Sequence, residues 1–440
     1  MNRRAGGPPG PLPPHGGIFP RRSATYFYGD GRAGPRGEIL TPRQWLPLIG
    51  ITICVFIFNM SEFMPIGLLT DIAADFDISE SKAGLIISIY AWAVAILSLP
   101  LMLLLRKMPY RRMLLMCVAL FAFFQVLSGV SSSYEMLVVS RLGVAVAHSI
   151  FWSIASPLAV KVVSPDLQKL AISAVATGTS IAMIIGLPLG RVIGLALGWR
   201  MSFVVIAVVS VFALALLVAV FPKVDNPGTF TLGRLPDLFR NKVLVGIYIF
   251  LAVYVTGYYT GYSYIEPFLA QTAGLSETMI TVALTLFGLA GIGGSILFTK
   301  VYDRTRYRFI MTVLVGAAVM LLLLRPSAVS MIGVLVVCTV WGFFATSFNV
   351  AFQSETLRAS PGDATAISMS LFSGIFNVGI AMGSIIGGVV TDTMSVDYIG
   401  LVGALFVIAA TAFVGLYLIG RMKENDAARA RAIEEHIWRS

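Results

Sequence analysis

Charged residues are scarce in this sequence. Asp, Glu, Lys and Arg together make up 12% of its 440 residues, whereas hydrophobic residues make up 57%. A soluble domain of this size carries about 25% charged residues, because its surface faces water. The shortage of charge therefore excludes an ordinary soluble protein and indicates that most of the surface faces lipid.

Cysteine and enzyme motifs are also lacking. The three cysteines, Cys54, Cys117 and Cys338, lie within apolar runs at spacings that suit neither a metal centre nor a disulfide framework. The sequence has no nucleotide-binding P-loop, metalloprotease helix or nucleophile elbow. We therefore expect a protein that is not an enzyme and has no metal or cofactor.

Twelve apolar runs account for most of the chain. A bilayer crossing needs about 20 apolar residues, and it forms a helix because lipid offers its backbone no hydrogen bonds. The runs are residues 46–69, 83–105, 113–130, 136–160, 170–197 and 201–221, followed by 243–270, 279–299, 309–324, 328–352, 364–390 and 398–420. The sequence predicts an all-α integral membrane protein with twelve transmembrane helices in two pseudo-symmetric halves.

Basic residues lie almost entirely on one side of these predicted crossings. If the N-terminus is cytoplasmic, 27 of the 32 Lys and Arg residues are cytoplasmic, and only Lys82, Arg200 and Arg325 are on the other side. Positive charge concentrates in cytoplasmic loops, so we expect both termini in the cytoplasm. The net charge of +10 then reflects membrane topology and does not indicate nucleic-acid binding.

Five segments follow from these runs. Residues 1–44 hold eight prolines, nine glycines and seven arginines, a composition typical of a disordered basic tail. We interpret 45–221 as an N-terminal six-helix half, 222–242 as a cytoplasmic linker and 243–420 as a C-terminal six-helix half. Residues 421–440 complete the chain as a cytoplasmic tail.

Glycines recur every four residues in the fifth and eleventh runs. The glycines are Gly186, Gly190 and Gly194 in the first half, and Gly379, Gly383 and Gly387 in the second. This spacing keeps them on one helix stripe, which lets a neighbouring backbone approach closely. The stripe is either a static contact or an interface along which the two halves rock. Its matched position in both halves favours the second interpretation.

Ionisable residues within membrane helices are costly and therefore candidates for function. Glu62 lies in the first run, and a carboxylate removed from water favours its protonated form, so it is a candidate proton carrier. Arg141, His148 and Trp152 share one face of the fourth run. A cation, an imidazole and an indole on one face indicate a polar cavity. The alternative for both Glu62 and His148 is a structural hydrogen bond.

Polar side chains in other runs suggest a substrate site. Tyr259, Tyr262 and Glu266 share one face of the seventh run, which suits either ligand binding or anchoring at the membrane interface. Arg191 is near the end of its run, where we expect it to reach the interface. The amides Asn59, Gln125, Asn349 and Asn377, with Trp152 and the two tyrosines, suit a neutral polyol that combines hydroxyl groups with an apolar ring face.

Several stretches resemble a known family. Twelve crossings in two halves, with a basic loop at residues 106–112, resemble the major facilitator superfamily. Residues 58–69 are similar to the first helix of bacterial drug:proton antiporters, and residues 186–191, which include Pro188, are similar to the antiporter motif of their fifth helix. Residues 141–148 with 151–153, residues 262–268 and residues 371–379 resemble bacterial sugar efflux transporters, which export arabinose and isopropyl thiogalactoside.

The resemblance implies sugar efflux in exchange for protons across the bacterial inner membrane, by alternating access of the two halves. We hypothesise that Glu62 and His148 couple proton movement to substrate, and that Arg141 tunes their pKa. We expect a substrate site that is lined by Asn59, Trp152, Tyr259, Tyr262, Glu266, Asn349, Phe376 and Asn377. The glycines and Pro188 would serve helix packing and conformational change. The alternative is efflux of lipophilic drugs on the same scaffold. We expect a monomer whose partners are lipid and a small-molecule substrate.

Overall fold

A computed structural model of the chain describes residues 42–105, 107–164, 167–224, 235–360 and 365–439, and these residues form helices joined by short turns. The predicted disordered tail, residues 1–44, lies outside the described residues except for the start of the first helix at Pro42. Residues 225–234 of the predicted linker also lie outside them.

The helices of the N-terminal half are α1 (Pro42–Phe63), α2 (Leu69–Asp75), α3 (Glu80–Leu105), α4 (Tyr110–Gly129), α5 (Tyr134–Lys161), α6 (Gln168–Leu197) and α7 (Trp199–Val220). A 3₁₀ turn, Met64–Leu68, joins α1 to α2. The short α8 (Leu235–Arg240) lies in the predicted linker. The helices of the C-terminal half are α9 (Lys242–Tyr262), α10 (Ile265–Pro267), α11 (Glu277–Ser327), α12 (Met331–Ala359), α13 (Thr365–Thr393), α14 (Ile399–Phe413) and α15 (Ile419–Arg439).

Eleven stretches of the described helices are long and apolar enough to cross a bilayer. In addition, α6 is 30 residues long and contains the apolar stretch Ile185–Leu197. The all-α membrane fold is therefore confirmed, and the count is consistent with twelve crossings. The predicted ninth crossing, residues 309–324, is short, but its helix extends over Lys300–Ser327. Non-helical backbone at Thr305 separates this crossing from the preceding one within α11.

Contacts between helix ends define two faces of the bundle. On the face that carries the start of α1 and the start of α15, which we call the terminal face, Arg306 of α11 pairs with Asp426 of α15. On the opposite face, which we call the far face, Arg200 of α7 pairs with Asp75 of α2 and donates to the carbonyl of Ser131 after α4.

Tight turns at the far face have clear local causes. The side chains of Ser133, Ser276 and Ser330 accept hydrogen bonds from backbone N–H groups in the first turns of α5, α11 and α12, which satisfies donors that a helix leaves unpaired. Gly198 and Gly274 adopt φ angles of +87° and +59°, a conformation that glycine reaches without strain.

The two halves meet along two helix pairs. α3 packs against α13, and α6 packs against α11. Near the far face, Ser384 of α13 donates a 3.3 Å hydrogen bond to the carbonyl of Gly84 in α3. At the same end, Arg191 of α6 pairs with Glu277 of α11. These contacts close the far face in this conformation.

The glycine stripes pack within each half and do not form the interface between halves. A Cβ atom on Gly186 would lie 3.1 Å from the Cα atom of Met60 in α1, and one on Gly387 would lie 2.7 Å from the carbonyl of Thr260 in α9. Gly190 and Gly194 face Met64 and Leu68 in the same way. The interpretation of these stripes as a rocking interface is therefore wrong, because helices of the same half cover them.

Substitution of Gly383 with Ala is expected to lower the thermal stability of the protein. A Cβ atom there would lie 2.8 Å from the Cβ atom of Tyr259 and 3.0 Å from the backbone nitrogen of Thr260, so α9 and α13 would have to separate. Gly374 lies on the same helix with no atom within 4 Å of a Cβ position. We expect Gly374→Ala to keep or raise the unfolding temperature. Equal unfolding temperatures for the two variants in detergent would contradict the close α9–α13 contact.

Candidate functional site

The site begins at a break in the first crossing. Pro65 has no backbone N–H, so the carbonyl of Ser61, four residues earlier, cannot make its helical hydrogen bond. Arg141 of α5 supplies the missing donor: its Nη2 lies 2.9 Å from the carbonyl oxygen of Ser61, and its Nη1 lies 2.9 Å from the Ser61 hydroxyl. Gln125 of α4 also donates to that hydroxyl. The break therefore fixes a buried cation next to Glu62.

Within the N-terminal half, a short chain of polar side chains leads inward from Glu62. The Nε2 atom of His148 lies 3.6 Å from the Glu62 carboxylate. On the other side of the imidazole ring, the Tyr90 hydroxyl lies 2.6 Å from Nδ1. The Arg141 guanidinium lies over the Tyr90 ring, 4.6 Å from its centroid. Helices α1, α3 and α5 thus each contribute one or more members of a connected group.

Burial of this group differs among its members. Arg141 is 1% exposed and His148 is 2% exposed, whereas the Glu62 side chain is 11% exposed. The ring centroids of Phe58 and Trp152 each lie 6.0 Å from the centroid of the imidazole ring, so these two side chains cover it. Glu62 is therefore the most exposed member of the group, and His148 lies behind it.

An aromatic wall on the C-terminal half is the second part of the site. A cavity of about 50 Å³ lies against it, lined by Phe63, Tyr258, Tyr259, Tyr262, Phe287, Gly288, Ala345, Thr346, Phe348, Asn349 and Phe376. Small-molecule sites usually enclose about 300–1,000 Å³, so the cavity is contracted in this conformation. The predicted residues Tyr259, Tyr262, Asn349 and Phe376 all line it.

The polar group and the aromatic wall adjoin each other. Phe63, the residue after Glu62, lines the cavity, and the Tyr259 hydroxyl lies within electrostatic range of Glu62. A ligand in a widened cavity therefore contacts aromatic rings of the C-terminal half. From the N-terminal half it meets Glu62, the most exposed member of the polar group.

Two predicted amides are bonded within their own helices. Asn59 donates to the carbonyl of Val55, and Asn377 donates to the carbonyl of Ser373. Asn377 has an unpartnered, buried Oδ1. Trp152 is half-buried next to His148.

The structure places Glu266 away from the aromatic cavity, although it shares a helix face with Tyr259 and Tyr262 in the sequence. Its carboxylate lies near the far face, 3.1 Å from Nη1 of Arg191. The expectation that Arg191 reaches the membrane interface is wrong, because its side chain is fully buried between the two halves. Glu266 and Arg191 thus belong to the far-face contact.

Sequence reasoning missed Tyr90 and Ser61, and it identified Gln125 only as one of the amides that suit a substrate. Tyr90 lies in an apolar run with no polar neighbour on its face, and a serine alone carries no positional signal. The spacing of Pro65 four residues after Ser61 was the one local indication that a carbonyl there needs an outside donor.

The arrangement suits reversible proton binding. Glu62 can accept a proton from solvent, and His148 lies close enough to share it when the imidazole turns or the carboxylate shifts by a few tenths of an ångström. The guanidinium of Arg141, held by Ser61 and Tyr90, places a positive charge near this carboxylate.

Comparison with known proteins identifies the family. Residues 51–384 match the sequence profile of the Major Facilitator Superfamily. The chain belongs to the major facilitator superfamily. Members of this superfamily are transporters, so the chain is a multi-pass membrane transporter.

Solved structures support the same superfamily fold. A bacterial homologue of the human lysosomal transporter Spinster, in an inward-facing and unoccupied conformation, is 14% identical with a TM-score of 0.69, over 87% of this chain and 98% of that one. The same homologue in an inward-facing, occupied conformation is 15% identical with a TM-score of 0.65, over 86% and 97% of the two chains. At this identity the similarity concerns the fold.

Proposed function

We propose that this chain exports sugars or sugar analogues from the cytoplasm of a bacterium across its inner membrane, in exchange for protons. The observation that carries the proposal is the position of Glu62. It is a partly exposed carboxylate in a membrane helix, with His148 behind it and an aromatic cavity beside it. Proton and substrate then compete for one chamber between the halves.

Proton binding and substrate binding alternate in this proposal. A substrate that enters from the terminal face meets a Glu62 that has released its proton, and a hydroxyl group of the substrate donates to the carboxylate. After the halves rock and the far face opens, a proton from outside neutralises Glu62 and the substrate leaves. The far-face contacts between Arg191, Glu266 and Glu277 must separate in this step.

The orientation follows from charge. Basic residues outside the predicted crossings concentrate at the terminal face, which favours a cytoplasmic location for that face. Export then corresponds to movement from the terminal face to the far face, with protons moving inward.

A second candidate is export of lipophilic drugs. The observation that favours it is the composition of the cavity, whose lining has seven aromatic side chains, three of them tyrosines, and adds only Thr346 and Asn349 as further polar side chains. Aromatic ring faces attract lipophilic cations, and they also pack against the apolar faces of sugars. Glu62 next to the cavity suits either substrate.

Competition binding to the purified protein separates the two substrate classes. We expect arabinose and a thiogalactoside to displace a labelled thiogalactoside, and a lipophilic cation such as tetraphenylphosphonium to leave it bound. Asn349→Ala removes an amide that lines the cavity and should weaken sugar binding, with little effect on apolar ligands. Saturable binding of the cation without measurable sugar binding would favour the drug transporter instead.

A further inference from the structure

At the far face, a buried arginine joins the two halves through an ionic contact. Arg191 from the N-terminal half lies between two carboxylates of the C-terminal half. Its Nη1 is 3.1 Å from Oε1 of Glu266, and its Nη2 pairs with Glu277. The same Nη1 donates a 2.5 Å hydrogen bond to the carbonyl of Gly67 in the 3₁₀ turn of its own half. This bond holds the guanidinium in place.

The donors that hold the Glu266 carboxylate come from the opposite half. The Thr70 backbone N–H and hydroxyl lie 3.1 Å and 2.7 Å from Oε2, and Arg191 binds Oε1. Glu266 is 2% exposed. Opening of the far face would leave this carboxylate without these donors. A negative charge at Glu266 therefore stabilises the closed far face, because a buried charge deprived of its partners is strongly unfavourable.

A polar cavity at the far face reaches Thr70, which donates to Glu266. The cavity has a volume of about 570 Å³, and its lining includes Thr70, Glu80, Gln271 and Asp392. The Thr70 hydroxyl lies 3.3 Å from Oε1 of Glu80 and 2.7 Å from Glu266. A chain of hydrogen-bonding groups thus leads from the cavity through Thr70 to the buried carboxylate.

We propose that Glu266 is a second proton-accepting residue, and that its protonation from the far-face cavity releases the closed far face. A proton from water in the cavity binds to Glu80 and passes to Thr70 Oγ1, while the Thr70 hydroxyl passes its own proton to Oε2 of Glu266. Neutral Glu266 loses its ionic attraction to Arg191, and the halves can separate. The inference rests on the proposed proton-coupled function and adds a site to it.

The surrounding charges favour proton uptake at this place. Arg191 on α6 is the cation that faces Glu266. Asp71 on α2 and Glu277 on α11 lie within electrostatic range of Arg191, and Glu80 begins α3. Further along α2, Asp75 is paired with Arg200. One guanidinium therefore faces several carboxylates. This surplus of negative charge favours protonation of one of them, and Glu266 is the one that bridges the halves through Thr70.

Distances between spin labels on the far face test the proposal. Labels at Ser132→Cys and Val329→Cys lie on opposite halves at exposed positions, and the three native cysteines are buried. In the full chain without substrate, we expect acidification to increase the fraction of molecules in which the two labels are far apart. Glu266→Gln should raise the open-to-closed ratio at neutral pH on the order of tenfold and reduce its response to pH.

Asp397→Asn is the matched control. Asp397 pairs with Arg325 at 3.6 Å on the same face, but both residues belong to the C-terminal half, so its loss should leave the distance distribution unchanged. Thr70→Val removes the hydroxyl and keeps the backbone N–H, and we expect a weaker pH response. It provides the test if Glu266→Gln does not yield monodisperse protein.

The outcomes separate this inference from the proposed function. Wild-type distances and pH response in both Glu266→Gln and Thr70→Val would overturn the role of Glu266. Glu62→Gln in the same labelled background should retain the far-face response to pH. If that response is present while transport proves independent of protons, the proposed antiport fails and the far-face proton site remains.

Discussion

Glu62→Gln is expected to abolish substrate accumulation driven by a proton gradient, while exchange of substrate across the membrane without a gradient continues. Glutamine has nearly the same shape, and its amide oxygen can still accept a hydrogen bond from a substrate hydroxyl, but it cannot bind and release a proton. A potential of about 100 mV supplies roughly 2.3 kcal/mol per charge, which sustains a solute gradient of about fifty-fold. The variant should lose this gradient.

Proteoliposomes with an imposed proton gradient and labelled substrate provide the measurement. Glu135→Gln is a suitable control, because Glu135 is an exposed carboxylate in the first turn of the same helix as Arg141 and His148. The control should accumulate substrate like the wild type. Undiminished accumulation in Glu62→Gln would remove Glu62 from the coupling mechanism and leave the proposed antiport without its main residue.

Glu355→Gln is expected to produce the largest loss of stability. Glu355 is fully buried and accepts hydrogen bonds from Tyr302 and from two nitrogens of Arg306. Arg306 also lies 2.5 Å from Asp426 of α15. Without the Glu355 charge, the mostly buried guanidinium of Arg306 keeps its ion pair with Asp426 but loses the one with Glu355. This loss costs on the order of 3 kcal/mol of folding free energy.

A second ion pair on the terminal face serves as the control. Asp303 and Arg358 lie 2.9 Å apart with 68% and 42% of their side chains exposed, and exposed pairs contribute little to stability. Thermal unfolding in detergent should therefore show a clear decrease for Glu355→Gln and little change for Asp303→Asn. Similar unfolding temperatures for both variants would mean that the buried network does not stabilise the C-terminal half.

The membrane fold could be predicted from the sequence because the length of an apolar run is a property of the chain alone. The same holds for helix faces: the spacing of Arg141 and His148 indicates one face, and in the structure both contact Tyr90. The spacing of Tyr259 and Tyr262 likewise puts both beside one cavity.

The partner of each face could not be predicted, because it depends on how helices far apart in sequence pack. Gly186 and Gly387 carry the same signal whether the approaching helix belongs to their own half or to the other. Glu266 shares a face with two cavity tyrosines, but the turn after Tyr262 and the opposing Arg191 place its carboxylate at the far face. Periodicity identifies a surface, and tertiary packing decides what it contacts.

Proton release during substrate binding tests the central claim most directly. The claim is that substrate and proton exclude each other at Glu62. A sugar that binds the protein is added to purified protein in weakly buffered detergent solution, and a pH indicator records any protons released. We predict a stoichiometric release of protons from the wild type and none from Glu62→Gln. Saturation with substrate without any change in pH, or equal release from Glu62→Gln, would contradict proton–substrate exchange at this site.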